Sequence, residues 1–173
     1  MRKAITCLEQ PYLSLHIDYD YLTVGEMGNI LIRLQAALRS LADLSRGRRE
    51  QPRFIIKSLE TRHSLDMLVV LSILTVTAAI PQNLDFYREV ATKALERLRV
   101  SATAIAEKRG LKVTIQDRTG LKTSPKPSEE LAPKQKKKLE DLMSALTRPA
   151  NSIIIRDEVS EITLTRPDLL KLL

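Results

Sequence analysis

The chain predicts an α+β fold: a mixed sheet of about five strands, packed against three to four helices, in the order β-α-β-α-α-β-α-β-β. Three observations carry this. Residues 12–19 (YLSLHIDY) alternate apolar and polar with a period of two. The stretches after Thr23 and after Asn83 place apolar residues every three or four positions. The pattern of strand, short loop and helix also comes twice, over 12–44 and 53–80, which suggests parallel strands joined by a crossover.

The elements follow in order. Leu13, Leu15, Ile17 and Tyr19 share one face of the first strand; Ser14, His16 and Asp18 share the other. Thr23 and Glu26 have capping-box spacing, each able to satisfy an open backbone N–H at a helix start. Met27, Ile30, Leu31, Leu34, Leu38, Leu41 and Leu44 then form one helical stripe, with Gly47 suited to end it. Residues 53–60 (RFIIKSLE) follow Pro52 as a second strand.

Residues 67–80 (MLVVLSILTVTAAI) carry no charge and dominate the reading. As a helix they span about 21 Å, against about 30 Å for a hydrocarbon core, and polar residues flank both ends. The expectation is therefore a buried helix, apolar all round, set between the sheet and another helix or at a subunit interface. Two alternatives stand beside it. One is a membrane-inserting element. The other is a buried strand, because Val69, Val70, Ile73, Thr75, Val76, Thr77 and Ile80 are β-branched.

Beyond Pro81, Asn83 can cap a helix reaching about Arg109, with Gly110 closing it. Residues 112–116 (KVTIQ) read as a short strand. Residues 133–147 predict a helix with Pro133 in its first turn, where the missing N–H has no partner to lose. Residues 152–156 and 161–165 flank Asp157–Glu158 as a hairpin, and 168–173 (DLLKLL) can add a last helical turn. The expected organisation is a core domain over 1–117, a linker over 118–132 marked by Pro and Gly, and a helix plus hairpin over 133–173 packed on the same domain.

Composition narrows the function classes. A chain of 173 residues suits one domain. Aromatics make up 3% with no Trp, so Leu, Ile and Val fill the core, and stacking platforms for single-stranded nucleic acid are scarce. The one cysteine, Cys7, excludes an intrachain disulfide framework and a cysteine-rich zinc site. The opening MRKAITCLEQPY has no apolar signal region, so the expected location is cytoplasmic, with membrane association as the alternative. Net charge is +7, yet basic exceed acidic residues by only two, two and three over 1–60, 61–110 and 111–173. The surface is mixed rather than one basic face.

No phosphate-loop, dinucleotide or nucleophile-elbow motif is present, and five glycines leave little for a phosphate cradle. No cofactor and no metal is expected. The weak catalytic candidates are Asp18 and Asp20, a D-x-D with hard oxygen ligands, and Glu60 and His63. Glu60, His63 and Asp66 are spaced by three and would share one side of a helix. The competing reading for them is capping and solvation, with Ser64 as the cap. His16 reads as a surface histidine. Lys57 has Ile55, not an acid, two positions before it, which argues against a metal-dependent nuclease.

Two basic clusters could meet phosphates: Arg46, Arg48 and Arg49, and Lys134, Lys136, Lys137 and Lys138 at a helix start. The expected function is a non-enzymatic binding or assembly module acting through self-association, with Leu68, Val69, Leu71, Ile73 and Val76 as the interface. The alternatives are a membrane-associated effector using 67–80 and a nucleic-acid-binding accessory protein. The expected partners are accordingly a homo-oligomer or another protein, an anionic membrane surface, or nucleic acid.

Overall fold

A six-stranded sheet carries three helices, which the computed structural model describes over residues 4–42, 52–75, 84–117 and 131–167. The elements are β1 (Ala4–Tyr19), α1 (Val24–Leu41), β2 (Pro52–Glu60), β3 (Ser64–Thr75), α2 (Leu84–Lys108), β4 (Lys112–Asp117), α3 (Pro133–Thr147), β5 (Ala150–Arg156) and β6 (Ser160–Thr165). The strand order is β2-β3-β1-β5-β6-β4. The α+β class expected from sequence is what forms.

The apolar run corrects the sequence reading. Met67 to Thr75 belongs to β3, a central strand between β2 and β1, and not to a helix. Residues 76–80 lie outside the described residues. Val69 to Ser72 are buried on both faces of β3 and need no polar alternation, so the run mimics a buried helix in sequence. The alternative of a membrane-inserting helix loses the same nine residues. No helix among the described residues is long and apolar enough to cross a membrane.

The sheet is antiparallel throughout rather than mixed. β1 and β2 do run in the same direction, but β3 is inserted between them. β4 and β5 repeat this with β6 between. The internal repeat is therefore β-α-β-β, over 4–75 and 112–165, with α2 joining the two copies. β1 is also longer than expected, starting at Ala4, with a register shift between Cys7 and Tyr12.

One face of the sheet holds the core. Leu13, Leu15 and Ile17 on β1 stand opposite Val69, Met67 and Leu65 on β3. Leu15 and Ile17 also stand opposite Ile155 and Ile153 on β5. Against them pack Ile30, Leu34 and Leu38 of α1 and Leu139, Leu142 and Met143 of α3. Each such side chain, fully buried, contributes about 1.5–3 kcal/mol. α2 buries four alanines (Ala91, Ala94, Ala102 and Ala106) beside Tyr87, Leu95 and Leu98.

Several described helix ends are satisfied by nearby groups, whereas Asn83, the expected cap of α2, lies outside the described residues. Thr23 Oγ1 accepts from the Glu26 N–H at 3.1 Å, and Glu26 accepts from the Thr23 N–H at 2.9 Å. The Thr23 backbone and hydroxyl donors, with Arg148 nearby, hold the Glu26 carboxyl below its ordinary value. Arg97 donates to Leu41 O at 3.0 Å and Gln135 to Ser40 O at 2.9 Å, covering carbonyls at the end of α1. Arg166 does the same for Thr147 and Arg148 at the end of α3. Gly110, at φ 74°, ends α2: the Leu111 N–H reaches back to Ala106 O and the Gly110 N–H to Glu107 O. α1 stops at Leu41, before the expected Leu44 and Gly47, which lie outside the described residues.

Candidate functional site

The polar face of the sheet gathers the first set of sequence candidates. Glu60 ends β2, His63 sits in the turn, and Asp66 lies on β3. The expected helical side for Glu60, His63 and Asp66 does not form, because this segment is a β2–β3 hairpin with Glu60 opposite Asp66. Ser64 caps no helix. Its hydroxyl donates to Asp66 Oδ2 at 2.6 Å. His16 is not isolated either: its Nδ1 meets Asp66 Oδ1 at 2.5 Å across the β1–β3 pair. Burial works against the Asp66 charge, but the Ser64 hydroxyl and the His16 ring together outweigh it and lower the carboxyl from its ordinary value.

A histidine oriented by a carboxylate resembles the base of a catalytic triad in geometry. Among the described residues, however, no hydroxyl or thiol is hydrogen-bonded to His16, and Ser64 is already engaged with Asp66. The arrangement pins β1 to β3. Asp18 and Asp20 do not form a shared site: Asp18 is exposed opposite Ser64 and Ser152, whereas Asp20 accepts from Asn151 at 3.0 Å. Among the described residues no three His, Cys, Asp or Glu side chains are grouped to hold a metal.

The basic clusters separate. Arg46, Arg48 and Arg49 lie outside the described residues. On α3 the lysines divide by helical geometry. Lys134, Lys137 and Lys138 line a groove of about 300 Å³ against Arg33 and Ala36 of α1, with Asp141 at its edge. Lys136, about 200° around the helix from Lys134, is absent from that lining. α1 and α3 run antiparallel, since Arg33 meets Asp141 at 3.3 Å and Ser40 meets Gln135.

The opposite flank of α1 is apolar. Leu31, Ile32, Leu34, Gln35 and Leu38 form a second groove with Phe54, Ile55 and Ile56 of β2 and Val69 below, about 330 Å³ in volume. Ile32 is 67% exposed and Ile56 40%, and Leu59 farther along β2 is also 40% exposed. Val24, Gly28 and Ile32, four residues apart, share one stripe on α1. β2 is an edge strand, so the helix layer ends here while apolar side chains continue.

The interface residues expected from sequence are placed differently. Val69 and Leu71 are enclosed within the chain, and Leu68 is half-buried on the opposite sheet face. The Ile73 side chain and Val76 lie outside the described residues. Sequence reasoning missed the α1–β2 groove because Ile32 interrupts the regular stripe and reads as one stray apolar residue.

Comparison with protein-family models, curated proteins and solved structures finds no match to this chain.

Proposed function

We propose that the protein is a non-enzymatic assembly module that pairs with a second copy of itself across the α1–β2 groove. The observation that carries this is the pair of exposed apolar side chains lining one groove, Ile32 on α1 and Ile56 on edge strand β2, with exposed Leu59 farther along β2. One feature favours a second copy as the occupant. Gly28, beside Ile32, has no reason inside its own chain: a Cβ there would meet nothing within 4 Å. Glycine within a helix costs about 0.5–1 kcal/mol relative to alanine, and close approach of a partner helix accounts for keeping it.

Pro52 at the start of β2 and the charged Lys57 at its register shift oppose open-ended strand addition. A closed dimer is therefore favoured over an extending sheet. Sedimentation velocity tests the reading. The wild-type chain is expected to dimerise at tens of micromolar, and Ile32→Asp to weaken the dimer by about 100-fold or more, since an isologous contact loses each anchor twice. Gly28→Ala is expected to raise the melting temperature of the monomer and to weaken association. A strict monomer, or dimerisation indifferent to Ile32→Asp and Gly28→Ala, overturns the proposal.

A further inference from the structure

The groove on the other flank of α1 has a chemistry of its own. Arg33, Lys134, Lys137 and Lys138 converge on it, and Asp141 is the one carboxylate in its lining. Arg33 is held loosely, at 3.3 Å from Asp141 and 3.4 Å from Asn29, and its side chain is 46% exposed. Those long contacts aim the guanidinium across the groove without saturating its five donors. Ala36, on the α1 side of the lining, leaves room there for a compact group.

Four cations around one carboxylate repel one another unless an anion or solvent screens them. The end of α1 supplies part of the compensation, because its C-terminal carbonyls lie beside the start of α3 through the Gln135–Ser40 contact. No side chain caps the start of α3, so the first N–H groups of α3 add to the positive field.

We infer that the α1–α3 groove binds a small multivalent phosphate anion, held by Arg33, Lys134, Lys137 and Lys138. A compact oxyanion suits the concave shape and the mixed set of one forked and three point-charge donors. The lining has no aromatic side chain on which a base could stack, which separates this ligand from single-stranded nucleic acid. The site lies on the opposite flank of α1 from the proposed dimer contact and does not depend on it.

Titration calorimetry of the full chain with tripolyphosphate at low salt tests this. Saturable binding near one per chain is expected, weakening as salt rises. Lys137→Ala and Lys134→Ala are each expected to weaken it about tenfold, and Lys137→Glu more, whereas Lys136→Ala leaves it unchanged. Circular dichroism confirms that the variants stay folded. No saturable binding overturns the inference, as does binding that Lys136→Ala weakens as much as Lys137→Ala. Tight binding of duplex DNA with none of tripolyphosphate also overturns it, in favour of an extended polyanion.

Discussion

Asp157→Ala tests how the hairpin is fastened to the helix layer. Arg99 on α2 donates through Nη1 to Asp157 at 3.3 and 3.0 Å and to Ser160 Oγ at 2.9 Å. Asp157 Oδ1 also accepts the Val159 and Ser160 N–H groups, both at 2.8 Å, which shapes the β5–β6 turn. The two charged side chains are 15% and 11% exposed, so both are largely out of water. Removing one partner of such a pair costs about 3–5 kcal/mol, because the other charge is left buried and unpaired. Ser160 still accepts from Arg99, and some exposure remains, which points to the lower end, about 3 kcal/mol. For a chain of this size that is a fall in melting temperature of roughly 6–12 °C.

The companion variant Asp157→Asn keeps an oxygen for the two turn N–H groups and removes only the charge. It is expected to cost about 1–2 kcal/mol. Urea unfolding followed by circular dichroism measures both, with an unchanged slope showing that the same surface unfolds. A loss below about 1 kcal/mol for Asp157→Ala, at unchanged slope, refutes the claim that this ion pair fastens α2 to the hairpin.

Acid stability should depend on Asp66. Its carboxyl sits below its ordinary value in the folded chain, so it contributes stability that is present above the ordinary carboxylate range and is lost as pH falls through the lowered folded value. Asp66→Asn is expected to be slightly less stable than wild type near neutrality and to show a flatter acid limb. The effect is small because the Asp66 side chain is 47% exposed, and identical acid unfolding curves would count against the His16–Ser64–Asp66 account. Thr23→Ala removes the acceptor for the Glu26 N–H and should cost about 1 kcal/mol in urea unfolding, with Thr23→Ser close to wild type. Equal stability of Thr23→Ala and wild type would show that the α1 start does not need its cap.

Several elements were legible because their signals are local. The Thr23–Glu26 box starts α1, Pro133 opens α3 and Gly110 ends α2 as expected. These features depend on backbone groups within one turn, which neighbouring residues alone can satisfy. The hairpin around Asp157 is equally local, and its strands run one or two residues longer than expected. Site residues were less legible. The three groove lysines are separated from Lys136 by helical angle, which a count of charges along the chain does not show. His16 and Asp66 are 50 positions apart and meet only through the β1–β3 register.

The sequence by itself determined the class of the fold, the capped start of α1 and the polar and apolar faces of β1, since periodicity and end chemistry act over a few residues. Tertiary structure decided the state of Met67 to Thr75. A uniformly apolar segment carries no period, so its conformation follows from what surrounds it. Here β1 and β2 flank it and supply the hydrogen-bond partners of a central strand. That choice encloses Val69 and Leu71, closes the first β-α-β-β unit and leaves a groove on each flank of α1.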